Sequence, residues 1–175
     1  MKIFAVTLSI LLLGTCIFGQ KAGCDLTIER SPTFMGLRLG QTEQAAEKVT
    51  GGAFGPEEEN PRYLRSMRVF KDQDPKFEGI TRIDLLAFDG KVARIMFSYD
   101  PDKWSSRKEA VESTAPRLGL PVSAFKFDLL STDAAMTCKD FEIRIDRIGQ
   151  VTFLDSTVFK RVAEREEADK KKSKP

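Results

Sequence analysis

The chain has 175 residues and a formal net charge of +2, with 28 Lys and Arg against 26 Asp and Glu, and it contains no histidine. A net charge so close to zero gives no global field that would attract nucleic acid or an acidic substrate. The lack of histidine excludes Ser-His-Asp and Cys-His mechanisms and removes the commonest transition-metal ligand.

Residues 1–19 have the pattern of a secretory signal peptide. Lys2 supplies the positive start, an apolar stretch runs from Ile3 to Leu13, and small residues lead to a cleavage site after Gly19. The apolar stretch is about half of the ~20 residues that span a bilayer, which disfavours an uncleaved anchor. We therefore expect an exported protein, either periplasmic or extracellular, with a mature chain of roughly 155 residues that forms one domain.

The cysteines fit this location. Cleavage after Gly19 removes Cys16 and leaves Cys24 and Cys138, and two cysteines in an oxidising compartment most simply form one disulfide. Both are expected near sheet edges, where Cα atoms of neighbouring strands come within about 5.5 Å and can be bridged. Two alternatives stay open: Cys16 or Cys24 is the acylated N-terminus of a lipoprotein, or Cys138 is a buried free thiol and Cys24 is unpaired.

The first half of the mature chain predicts one helix and three strands. Thr42 caps a helix that Gly51-Gly52 ends. Alternating apolar residues then predict strands over 63–70, 80–88 and 92–99, the last two joined by Asp89-Gly90. That dipeptide favours a two-residue hairpin turn, since it tolerates positive φ at both positions.

A second helix begins at Ser106, with Glu109 at the spacing of a reciprocal capping box, and Pro116 should kink or end it. Extended structure is expected again over 125–129, followed by strands over 141–145 and 151–154. From about Val158 a short helix should run into the tail. The tail, residues 164–175, offers no apolar face, so we expect it to be disordered.

This order of elements predicts an α+β fold, in which an antiparallel sheet carries two helices packed on one face, plus a short C-terminal helix and a charged tail. The expected organisation is a signal peptide at 1–19, a single domain at 20–163 and the tail at 164–175.

Few residues suggest chemistry. The pairs Asp72/Asp74 and Asp100/Asp102 are spaced like the start of a calcium loop but lack its glycine and closing glutamate, so we predict no metal site. No carboxylate pair stands out for hydrolysis, Ser106 is explained by capping, and no glycine-rich phosphate loop is present. We predict no catalytic residue and no cofactor, which leaves the disulfide as the one site. The basic cluster 170–172 is expected to be solvated, with a weak contact to an anionic membrane as the alternative.

One segment resembles a known group. Gly36-Leu37-Arg38-Leu39-Gly40-Gln41-Thr42 with Glu43 is similar to the "G-x-x-L-G-M-T-x-x-E" opening of small bacterial envelope proteins, although Gln41 replaces the usual Met. Leu85 to Val92, which reads L-L-A-F-D-G-K-V, resembles exported proteins with the same opening. The resemblance is to the BamE-like and β-lactamase-inhibitor-like (SmpA/OmlA-type) folds, and it covers roughly residues 33–100. It implies a protein-binding envelope module without catalytic residues.

Together, these features predict a non-catalytic, secreted or periplasmic module that binds an envelope protein and no nucleic acid. A free edge or wet face of the sheet would accept the partner. An outer-membrane-associated assembly lipoprotein and a small hydrolase that uses carboxylates alone are the alternatives. The sequence leaves the partner and the oligomeric state open.

Overall fold

The computed structural model describes residues 24–57, 63–71, 74–77, 79–128 and 131–172. The expected signal peptide, including Cys16, and the last three residues of the expected tail lie outside this part of the chain. Asp72, of the first carboxylate pair, and residue 129, of the expected extended piece, also lie outside it.

A single antiparallel sheet dominates the molecule. Its seven strands lie in the order β1-β2-β3-β7-β6-β5-β4, and every pair of neighbours is antiparallel. The strands are β1 Leu64–Phe70, β2 Ile80–Phe88, β3 Lys91–Tyr99, β4 Lys126–Phe127, β5 Asp133–Thr137, β6 Phe141–Asp146 and β7 Gln150–Asp155. The helices are α1 Glu43–Thr50, α2 Arg107–Thr114 and α3 Val158–Lys172. The predicted α+β class is confirmed.

The turn between β2 and β3 forms as predicted. Asp89 and Gly90 have φ values of 50° and 72°, both in the region that Asn, Asp and Gly adopt most readily. The same turn positions α1, because Glu43 N donates to the Gly90 carbonyl at 3.0 Å. The first helix is thereby tied to the first hairpin.

One face of the sheet carries the main core. The inward residues of β2, β3, β6 and β7 pack there against buried Ala46 of α1 and buried Val111 of α2. Phe97 lies at the centre, edge-on to Phe34 at 5.0 Å and to Phe153 at 6.1 Å between ring centroids. The prediction of two helices on one face of the sheet is confirmed. The apolar side chains of β2, β3 and β6 that alternate along the sequence point to this face.

The ends of α1 and α2 follow local sequence rules, with one exception. Ser106 Oγ accepts a hydrogen bond from Glu109 N, as expected for the cap. The Glu109 carboxylate, however, accepts from the amide and hydroxyl of Ser105, so the predicted reciprocal bond is displaced by one residue. Pro116 ends α2 as expected, and a 3₁₀ turn over Pro116–Leu118 replaces its last turn.

The prediction of a disordered tail is wrong for its first nine residues, 164–172. The C-terminal helix continues to Lys172 and packs on the opposite face of the sheet, where Val158 and Val162 are buried. Beyond Val162 the inner side of α3 makes polar contacts in place of apolar ones. Tyr63 Oη donates to Asp169 at 2.6 Å, and the Arg165 guanidinium stacks on the Tyr63 ring at 4.8 Å.

The described residues of the C-terminal half form four strands, where two or three were expected. The strand β5 was not predicted, because only Ala134 and Met136 give it an apolar side. Its partner β4 is two residues long. None of the helices in the described part of the chain is long and apolar enough to cross a membrane.

Candidate functional site

The two cysteines that were predicted to pair are bonded to each other. Cys24 and Cys138 form a disulfide across 114 positions of sequence, with their Cα atoms 4.3 Å apart. A hydrogen bond from Lys139 N to the Leu26 carbonyl runs beside it. The bond fixes the start of the described chain to the residues between β5 and β6, which agrees with the predicted pairing.

The larger feature is the face of the sheet opposite α1 and α2. The strand register places three rows of side chains on it, because residues directly opposed on neighbouring strands point to the same side. The middle row, from β1 to β5, is Arg68, Asp84, Met96, Thr152, Arg144 and Ala135. Among the described residues, those of α3 cover part of this face, at the end where Leu64, Phe88 and Ala93 lie. We call the remainder the open face.

A groove of about 520 Å³ lies on the open face between α3 and strands β1 to β3. Its wall on the helix side is Phe159, which is half exposed. The lining residues contributed by the strands combine apolar and charged groups: Leu64, Ser66, Met67, Arg68, Asp84, Leu85, Leu86 and Arg94.

Asp84 organises the charged side of this groove. It is only 6% exposed and accepts one hydrogen bond on each carboxylate oxygen, from Arg68 Nε at 2.5 Å and from Arg82 Nε at 2.7 Å. The Asp84 carboxylate raises the pKa of Arg68 through this hydrogen bond. A carboxylate that accepts from a guanidinium group on each oxygen orients both arginines.

Arg94 is the second arginine that lines the groove. It lies on β3, directly opposite Leu86 on β2 and Leu154 on β7. Its Nε atom is buried and makes no hydrogen bond to any described residue. Arg68 and Arg94 line the groove with Asp84, and Arg82 bonds to Asp84 beside it, so this part of the face carries an excess of positive charge. We call Arg68, Arg82, Arg94 and Asp84 the arginine cluster.

Two exposed aromatic side chains flank the cluster. Phe70 is 68% exposed and lies opposite Arg82 in the row next to Asp84. Phe159 is 50% exposed on α3. Large apolar side chains in water beside arginines are typical of the surfaces that proteins use to bind one another.

The far half of the open face has the opposite charge. Asp133 and Asp146 are directly opposed across β5 and β6, and Glu142 lies further along β6. Burial raises the pKa of Asp146, and the Asp133 charge adds to this rise. Arg144 compensates in part, through Glu142 at 2.7 Å and Asp133 at 3.6 Å. The open face is thus basic over β1 to β3 and acidic over β5 and β6.

The residues considered for catalysis and metal binding have structural roles. Asp100 Oδ1 accepts from Asp102 N at 3.0 Å, which closes the turn after β3. Ser106 caps α2. Among the described residues, no group of three or more acidic or cysteine side chains is placed to hold a metal ion.

The arginine cluster was not singled out from the sequence. The one available signal is Asp84, a charged residue within the otherwise apolar β2 run Ile83 to Phe88. A charge in such a run suggests a paired or open-face position. The residues that pair with Asp84 depend on the register between β1 and β2, and neighbouring residues in the sequence do not determine that register.

Comparison of the chain with protein-family models, with curated proteins and with solved structures finds no match.

Proposed function

We propose that this chain is an exported, non-catalytic protein-binding module, and that its partner binds the basic half of the open face. The observation that carries the proposal is the sheet surface beside α3 that the described residues leave uncovered, where Phe70 and Phe159 are exposed on either side of the arginine cluster. Aromatic residues and arginine are the side chains most enriched in the buried centres of protein interfaces.

The disulfide supports export. Cys24 and Cys138 are joined, and disulfides form and persist in oxidising compartments such as the periplasm or the extracellular space. A bond that closes more than a hundred residues is an important constraint on the unfolded chain. A protein built around it suits such a compartment.

The carboxylates of the open face favour binding over hydrolysis. A general acid needs a carboxyl group that is free to hold and release a proton beside the substrate. Both oxygens of Asp84 accept from arginines. Asp146 accepts from Gln150 N at 2.9 Å, and Asp133 lies 3.6 Å from Arg144. These carboxylates are engaged with the protein itself, which argues against the carboxylate-only hydrolase.

The experiment is quantitative co-purification from the native cell envelope, using two matched double variants. Phe70→Ser with Phe159→Ser removes the aromatic flanks of the groove. Phe127→Ser with Ile148→Ser removes two exposed apolar residues on β4 and in the β6–β7 turn, which serve as the control. We expect one defined partner to be retained by the parent chain and the control pair, and to be lost by the groove pair. Equal recovery with both pairs, or no specific partner with the parent chain, would contradict the proposal.

A further inference from the structure

The arginine cluster has hydrogen-bonding capacity that the fold does not use. Arg68 and Arg82 each contact Asp84 through Nε, and neither guanidinium makes another hydrogen bond within the described part of the chain. A guanidinium has five N–H donors, so each retains its two terminal nitrogens. Arg94 adds a third guanidinium whose Nε is buried without a partner among the described residues.

One carboxylate cannot neutralise three arginines. Asp84 is buried while the Arg68 side chain remains 63% exposed, so the excess positive charge faces the solvent at the groove. Leu64, Leu86 and Phe159 form apolar walls beside it. Charge beside apolar walls is screened less than charge on a fully wet surface, which strengthens the attraction of an anion.

The spacing of the arginines indicates whether the anion is extended or compact. Its arginines come from three neighbouring strands about 4.8 Å apart, and Arg82 and Arg94 lie four residues apart along the strand direction, so the backbone positions spread over roughly 10–15 Å. An extended peptide places alternate side chains about 6.5–7 Å apart, which matches several carboxylates better than one compact phosphate. The exposed rings of Phe70 and Phe159 offer contacts for apolar residues between those carboxylates.

We infer that the groove binds an extended acidic segment of the partner protein. Arg68 and Arg94 in the groove and Arg82 beside it contact the carboxylates of this segment, and Phe159 contacts an apolar side chain between them. This inference rests on the proposed function and specifies the chemistry of the partner. Paired guanidinium and carboxylate groups form charge-assisted, bidentate hydrogen bonds, which supply both affinity and orientation. Asp84 acts as the internal carboxylate that holds two of the arginines ready for the external ones.

The direct test is fluorescence anisotropy with the mature chain and two labelled decapeptides. The first peptide alternates glutamate with phenylalanine and alanine, and the second replaces every glutamate with glutamine. We expect the acidic peptide to bind at least about ten-fold more tightly, with an affinity that falls as salt is added. Equal affinity for the two peptides, or binding of neither, would contradict the inference.

Variants locate the binding. Arg68→Gln leaves Arg82 on the buried Asp84, so the fold is retained, and it should weaken the acidic peptide by about three- to ten-fold. The matched control is Lys48→Gln or Lys108→Gln, which removes one exposed cation from α1 or α2 on the other side of the sheet. The control should change affinity less than two-fold, within the range of exposed ion pairs. An equal loss in control and test variants would show a general charge effect and overturn the assignment.

The same assay distinguishes an acidic peptide from other molecules that could occupy the groove. Inorganic phosphate or phosphatidylglycerol vesicles that displace the peptide completely at matched charge concentration would assign the groove to phosphate groups and overturn the inference. The acidic half of a second copy is the remaining occupant. A dimer in light scattering that Arg68→Gln dissociates would identify it and also contradict an acidic partner segment.

The two proposals can fail separately. If the native partner is lost with Phe70→Ser and Phe159→Ser but is retained fully by Arg68→Gln, the binding module stands and the acidic segment is wrong. If neither set of changes affects the partner, the proposed surface itself is wrong.

Discussion

At the scale of single residues, Asp84 determines how two arginines are arranged on the open face. A buried aspartate is unfavourable unless it is paired, and here two arginines on β1 and β2 provide the pairing. The pairing also fixes the arginines, which would otherwise sample many rotamers. Asp84 therefore orients the arginines of the proposed binding surface.

Asp146 provides a prediction about pH. Its folded-state pKa is raised, chiefly by burial and also by the facing Asp133, so the folded protein favours the protonated form. The stability that Asp146 contributes is therefore fully present below the unfolded pKa of about 3.9 and is lost as pH rises through the folded value. Asp146→Asn imitates the protonated side chain and keeps an oxygen for Gln150 N. We expect it to raise the melting temperature at pH 7 and to have no effect near pH 3.

The matched control has the opposite sign. A hydrogen bond from Lys71 lowers the pKa of Asp74, with help from Lys76 N. The stabilisation from Asp74 is present above the unfolded pKa and is lost as pH falls through the folded value. Asp74→Asn should therefore lower the melting temperature at pH 7, and this effect should shrink as pH falls through the folded value. A parallel response of the two variants in thermal melts would contradict the assigned causes.

At the scale of elements, α3 shapes the site, since it covers one end of the second face and forms the wall of the groove. Its hold on the sheet depends on two valines, Val158 and Val162, followed by polar contacts to Tyr63. The apolar part is short because the inner face of the helix changes from valine to arginine and aspartate after one turn. This is why composition alone predicts disorder from residue 164 onward.

Val162→Ala tests the packing of α3. The side chain is 5% exposed against Leu64, Leu86 and Phe88, and the change removes about two buried methyl groups. We expect a loss of about 1.5–2.5 kcal/mol in the free energy of unfolding by urea denaturation. Lys160→Ala, at an exposed position of the same helix, should stay within about 0.5 kcal/mol. Equal, small effects would mean that α3 does not pack on the sheet.

Local chemistry explains which elements the sequence could predict. Asp89-Gly90, the Thr42 and Ser106 caps and the Pro116 stop depend on neighbouring residues only, and each forms where expected. The strand β5 lacked a signal because its apolar side is an alanine and a methionine. The face on which α3 packs is set by contacts between residues more than 60 positions apart in the sequence. Hydrophobic periodicity describes neighbouring residues only, so it predicts neither this face nor the groove.

At the scale of the whole molecule, a net charge of only +2 conceals a separation of charge. The basic arginine cluster and the acidic pair Asp133 and Asp146 lie at opposite ends of one open face. Composition averages the two halves and suggests no charged partner. The sheet order separates them, because β1 to β3 lie on one side of β7 and β4 to β6 on the other.

The disulfide is the other feature of whole-molecule scale. Closing a loop of 114 positions stabilises the fold by about 4–5 kcal/mol in the chain-entropy model, which is an upper value. We expect reductant to lower the unfolding midpoint of the parent chain clearly, and to have no effect on the double variant Cys24→Ser with Cys138→Ser. Two alkylatable thiols in the unfolded, unreduced mature protein would contradict the pairing.

Photo-crosslinking in the living native cell tests the binding surface most directly. A photoreactive phenylalanine analogue replaces, one at a time, Phe70 and Phe159 beside the groove and Phe127 on the far edge strand β4. The account predicts an adduct with the same partner protein, identified by mass spectrometry, from positions 70 and 159, and none from position 127. Adducts from position 127 alone, or no adduct from the two groove positions, would contradict it.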